Sequence, residues 1–176
     1  GADLFDATFF GITPRDAEIM DPQHRIFLEC AWHAFEDAGY DPEKTDSRVG
    51  VFGGTGTAWY LNSVTTNSEV AKNSSGTSII TATDRDYVAT RVSYKLNLKG
   101  PSFTVQSACS TSMVAVVMGI NSLLSYQCDM VIAGGATVHL PEKDGYMYYE
   151  GGIESIDGVC RTFDKDASGT VFSRGA

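Results

Sequence analysis

Long apolar runs are missing from this 176-residue sequence: none approaches the roughly 18 consecutive apolar residues of a membrane helix. The opening GADLFDATFF lacks the basic start and apolar stretch of a secretory signal, so a cytoplasmic protein is expected. Basic residues are scarce and dispersed. Lys and Arg total 13 against 22 Asp and Glu, for a net charge of −9, which argues against a nucleic-acid groove. The four cysteines, Cys30, Cys109, Cys128 and Cys160, form no CxxC pair of the kind that structural zinc and dithiol redox sites use. Free thiols in a reducing compartment are expected.

What is present is organised for one core. Between Asp16 and Ala38, Met20, Phe27, Ala31, Phe35 and Ala38 recur at three- and four-residue steps, predicting one amphipathic helix that ends at Gly39. RVGVFGG, 48–54, predicts a buried strand entering a turn at its glycines. The polar stretch from Thr55 to Thr83 predicts loop with one or two short helices. In DRDYVATRVSYKL, 84–96, Tyr87, Val88, Val92 and Leu96 share a helical stripe. SFTVQ then reads as a strand, and STSMVAVVMGINSLLSY, 110–126, as a helix apolar nearly all round, which predicts cover on most sides. DMVIAGGA, 129–136, predicts a strand of the same sheet. Strand, buried helix and strand make an α/β crossover unit. The glycine-rich tail from His139 onward predicts loop.

Cys109 lies where the second strand gives way to the apolar helix. Free cysteines are most often small buried hydrophobes. At a helix N-terminus, however, backbone N–H groups and the helix dipole favour a thiolate, and the same N–H groups can receive the oxyanion of a thioester under attack. Its neighbours Ser107, Ala108, Ser110, Thr111 and Ser112 are small, as an exposed nucleophile requires, and their hydroxyls can cap the first turn. A serine-rich cap beside a core cysteine would give the same pattern, so the residues alone leave both readings open.

The segment GPSFTVQSACSTSMVAV closely resembles the active-site segment of β-ketoacyl synthases, in particular the ketosynthase domains of modular polyketide synthases. FFGITPRDAEIMDPQHRIFLECAWHAFEDAGYDP, ATRVSYKLNLKGPS, CDMVIAGGA and GGIESIDGVCRTFDKDASGTVFSRGA resemble further blocks of that family, in order along essentially the whole chain. The resemblance implies a thiolase-like layered αβαβα fold, of which residues 1–176 are an interior fragment of the N-terminal half. It implies that Cys109 is the nucleophile that accepts an acyl chain from a phosphopantetheine thioester, with its own N–H as one oxyanion donor. Decarboxylative Claisen condensation with a malonyl-type extender on acyl carrier protein follows. No metal or directly bound cofactor is implied, since the carrier delivers the phosphopantetheine arm. The implied partners are acyl carrier protein, acyl and malonyl-type thioesters, and a second copy of the chain, with the strand before Cys109 near the two-fold axis. Gln106, Ser107, Thr111 and Met113 depart from the commoner Asp, Thr, Ser and Leu of the family.

The family's two catalytic histidines have no counterpart among His24 and His33, both on the first helix, and His139, for which a structural role is expected, and both ends of the sequence look truncated. The isolated fragment is therefore expected to be acylated at most. A fatty-acid β-ketoacyl synthase and a non-catalytic structural half of a ketosynthase pair are the alternatives; Cys109 weighs against the second. SACST lacks the glycines of a GxSxG hydrolase elbow. DKDASG, 164–169, starts like a calcium loop, but Gly175 stands where a bidentate Glu is needed. GGTG, 53–56, lacks dinucleotide spacing and is read as a turn.

Overall fold

The computed structural model describes residues 4–140 and 145–176. Seven α-helices among them carry labels α1 (Pro14–Ile19), α2 (Pro22–Asp37), α3 (Tyr60–Thr66), α4 (Ser68–Lys72), α5 (Gly76–Thr83), α6 (Val88–Lys95) and α7 (Thr111–Leu124). The strands β1 (Val49–Thr55), β2 (Ser102–Thr104) and β3 (Met130–Ala136) form a parallel sheet in the order β2-β1-β3. Strand side chains alternate between its two faces. Val49, Val51, Met130 and Ile132 pack with Phe27, Leu28, Ala31 and Phe35 of α2 and Val88, Ala89 and Val92 of α6. Phe52, Val131 and Ala133 pack with Val114 and Ala115 of α7 on the other face. The result is helix, sheet and helix in three layers, the expected α/β class.

The expected single helix over 16–38 is two. Pro22 disfavours helical backbone at the residue before it; Met20 is extended, and Asp21, at φ −54° and ψ 130°, is not helical. Asp21 then caps α2, its Oδ1 accepting from the Gln23 N–H at 2.8 Å. The polar stretch after β1 folds into three short helices rather than one or two, with Asn67 capping α4 and Ser75 capping α5. β1 does not turn at its glycines but runs on through Gly53 and Gly54 to Thr55, paired with Gly134, Gly135 and Ala136 of β3. Among residues 145–176 only isolated bridges occur, such as Glu154 with Thr170, as expected of a loop-rich tail.

α7 corrects the expectation of a helix covered on most sides. Only Ala115, Gly119 and Ser122 are buried. A Cβ on Gly119 would lie 2.5 Å from Val131 Cγ1, so the missing side chain sets how closely the helix approaches β3. The opposite side is open: Met113 is 66% exposed and Leu124 73%. Among the described residues nothing supplies the second apolar surface that such a composition requires. No helix among the described residues is long and apolar enough to cross a membrane.

The entry to α2 carries a buried polar cluster of Asp21, Gln23 and His24. Neither His24 ring nitrogen has a hydrogen-bond partner among the described residues. Burial first, and the Arg91 guanidinium second, push its pKa down to about 3 from 6.5. The unfolded chain therefore takes up a proton that the folded chain refuses. This contribution to stability is intact above pH 6.5 and is lost as the pH falls from 6.5 towards 3. Between pH 7 and pH 4.5 the loss from this one group is about 3 kcal/mol. Denaturant titrations at the two pH values should show His24→Gln losing less stability on acidification than the parent, by about that amount; equal losses would mean His24 is not held neutral.

A strained elbow presents Cys109

β2 ends at Thr104, and the chain reaches α7 through a 3-10 turn at Ala108–Ser110. Cys109 sits in that turn, exposed, two residues before the helix proper. The turn depends on Ala108, whose φ of +48° lies in the left-handed region that costs a residue with a Cβ about 1–2 kcal/mol. Local hydrogen bonds hold it there. The Ser107 and Ser110 hydroxyls lie 2.8 Å apart, and Ser110 Oγ donates to the Ser107 carbonyl, also at 2.8 Å. The Ser107 N–H donates to Thr111 Oγ1 at 2.9 Å. Thr111 Oγ1 in turn donates to the Ala108 carbonyl at 2.8 Å. Ser110 occupies the N-cap position of α7 without making a side-chain cap bond. Its hydroxyl turns back to Ser107, so the expectation that the flanking hydroxyls cap the first turn gives way to one in which they stitch the elbow.

The ends of β1 and β3 fix where the elbow sits. A Cβ on Gly54 would fall 2.0 Å from the Val105 carbonyl oxygen and 2.5 Å from Thr111 Cγ2. The glycines read as a turn are a strand end that must be bare for the elbow to lie against it. This contact, and the two-sided role of the Thr111 hydroxyl, escaped sequence reading; the only signal was the short side chain at each position.

Histidine is not gathered at Cys109. His24 is buried, His33 is exposed with Nδ1 3.1 Å from Glu36 Oε2, and the His139 ring lies 5.8 Å from that of Phe172. No hydrogen bond joins any of the three to Cys109 among the described residues. All four cysteines are free thiols. Cys128 is buried with its Sγ 3.5 Å from Ser122 Oγ. Cys160 is exposed, and hydrogen bonds from Thr162 and Thr170 hold its thiol below the ordinary range. No group of three or more His, Cys, Asp or Glu among the described residues is placed to hold a metal ion. A cleft of about 830 Å³ lined by Phe9, Trp32, Tyr40 and Lys95 shares no residue with the elbow. What the elbow offers is an accessible thiol beside backbone N–H groups, an arrangement suited to acyl transfer.

Residues 1–176 match the family described as Beta-ketoacyl synthase, N-terminal domain. The chain is 46% identical over 182 residues to a phenolphthiocerol/phthiocerol polyketide synthase of Mycobacterium tuberculosis, covering 99% of itself and 12% of that protein. It is 41% identical to polyketide synthase PksN of Bacillus subtilis, covering 98% of itself and 3% of the relative. The chain thus spans only a small part of the curated relatives it matches. In structure it is similar to ketosynthase twelve of the bacillaene polyketide synthase from Bacillus amyloliquefaciens, with a TM-score of 0.83 and 35% identity over 97% of this chain and 30% of that one.

The close approach at Gly54 makes a direct prediction. Gly54→Ala should lower unfolding stability by about 1–3 kcal/mol, as overpacking does. Gly76→Ala, where a Cβ meets nothing within 4 Å, should cost under about 0.5 kcal/mol. Equal denaturation midpoints for the two variants would show that the elbow does not bear on β1.

Proposed function

The chain belongs to the β-ketoacyl synthase family, and from that premise we propose that it carries the acyl-accepting nucleophile, Cys109, of a polyketide synthase ketosynthase. The observation that carries this is the exposed thiol held on the strained turn between β2 and α7, within a chain whose relatives are polyketide synthases. In the first half-reaction Cys109 Sγ attacks the carbonyl carbon of an acyl thioester on acyl carrier protein. The new C–S bond forms, the bond to the carrier thiol breaks, and the thiol proton leaves with the carrier. In the second, a malonyl-type thioester loses carbon dioxide. The resulting enolate attacks the acyl-Cys109 carbonyl, a C–C bond forms, the bond to Cys109 Sγ breaks, and Cys109 leaves as its thiolate.

The cofactor chemistry is that of the phosphopantetheine arm delivered by the carrier, with no metal or directly bound cofactor in the scheme. The histidines that assist decarboxylation in this family lie outside the three of this chain, so condensation belongs to the larger protein, acting in the cytoplasm. A homodimer through the open edge of β2 is part of the same proposal. Val51 donates to Pro101 and Val105 to Gly53, so the alternation of a parallel ladder leaves the N–H and C=O of Ser102 and Thr104 facing away from β1. The bare apolar side of α7 is the further surface that the rest of such an assembly would cover.

The test is to incubate the intact synthase polypeptide with an acyl thioester and locate the adduct by peptide mass spectrometry. The expected result is a single acyl adduct on Cys109 that Cys109→Ala abolishes. An adduct that persists in the variant, or none on folded protein with any thioester, would overturn the assignment.

A further inference from the structure

Thr111 bonds to both sides of the elbow at once. Its Oγ1 accepts from the Ser107 N–H at 2.9 Å and donates to the Ala108 carbonyl at 2.8 Å. The Thr111 backbone N–H reaches that same carbonyl. The Ala108 carbonyl and the Cys109 N–H belong to one peptide unit, which is planar and trans, so they point in opposite directions. Whatever fixes the carbonyl therefore fixes the direction of the N–H. The Thr111 methyl is held independently. Cγ2 lies 2.5 Å from where a Cβ on Gly54 would stand and 3.9 Å from one on Gly135, which wedges it against the ends of β1 and β3. The hydroxyl is thus anchored to the sheet while it grips the elbow, and this peptide unit follows an alanine at φ +48° that would relax if released.

We propose that Thr111 is a positioning residue for acyl transfer: by holding the Ala108 carbonyl it aims the Cys109 N–H at the oxygen of the thioester under attack. The proposal rests on Cys109 being the acyl acceptor. Thr111 touches neither the thiol nor the substrate in this scheme. It acts through one peptide plane, and its effect is confined to steps that build negative charge on a carbonyl oxygen. Alkylation of the same thiol by iodoacetamide builds none, and so depends on the thiolate but not on the direction of the N–H.

The experiment uses the intact synthase polypeptide and two probes, a butyryl thioester of N-acetylcysteamine and iodoacetamide, with both reactions followed at the Cys109 peptide by mass spectrometry. Site resolution is needed because Cys30 and Cys160 are exposed as well. Thr111→Val keeps the methyl wedge and removes the hydroxyl. It should slow acylation of Cys109 by about 10- to 100-fold, below or at the low end of the loss seen when an oxyanion donor is deleted outright. Alkylation should stay within about twofold of the parent, as expected where thiolate nucleophilicity is untouched. Thr111→Ser restores the hydroxyl and should bring acylation back to within about threefold. Thr111→Ala, which also lacks the hydroxyl but fits any space, should show the same split and serves if the valine variant does not fold. Acylation and alkylation falling together would mean that Thr111 only holds the elbow in place and would overturn the proposal, as would a hydroxyl-free variant that acylates at the parental rate or a serine variant that fails to recover. A parent protein that is alkylated but never acylated at Cys109 would instead refute the assignment of the nucleophile, and the role of Thr111 would fall with it.

Discussion

The site depends on a backbone conformation that alanine disfavours. Ala108 stands at φ +48° because the peptide groups on either side of it are held, one by the Ser107 and Ser110 hydroxyls and the other by Thr111. The strain, about 1–2 kcal/mol, is comparable to what one or two net hydrogen bonds contribute. The turn persists because it is stitched on both sides and pressed against bare glycine backbone at Gly54. Remove the stitches and the thiol remains in the sequence but loses its defined direction.

The rest of the fold serves that placement. The parallel sheet puts the ends of β1 and β3 side by side, with Gly54 paired to Gly135, and the elbow rests on those ends. α7 continues the elbow and is brought close to β3 by Gly119. α2 and α6 close the opposite face, so one side of the sheet is a finished core. The other side is finished only as far as Ala115, Gly119 and Ser122, and the outer half of α7 stays bare. The chain covers 30% of the ketosynthase it overlays, and among its described residues the outer side of α7 meets no second apolar surface.

Much of this was legible in the sequence, because periodicity and residue size report burial. α2, α6, β1 and β3 stand where apolar repeats placed them, and the small residues about Cys109 pointed to an elbow. The misreadings have local physical causes. A helical repeat runs unbroken through Met20, but Asp21-Pro22 divides it, and the proline outweighs the periodicity. Gly53 and Gly54 look like a turn because glycine usually ends strands; here they continue one, since a side chain would collide with Phe27 or with the elbow. An all-round apolar helix signals cover, yet among the described residues only the Ala115, Gly119 and Ser122 side of α7 has it. The double duty of the Thr111 hydroxyl was beyond reach, because serine or threonine near a helix start reads as a cap and only geometry shows it bridging Ser107 and Ala108 instead.

The most direct test of this account is a crystal structure of the intact protein trapped as an acyl-Cys109 thioester. The account predicts the thioester oxygen about 2.7–3.1 Å from the Cys109 backbone nitrogen, with Ala108 still at positive φ and the Thr111 hydroxyl still on its carbonyl. An acyl oxygen directed away from that N–H, or an Ala108 relaxed to ordinary helical backbone with the acyl group in place, would contradict it.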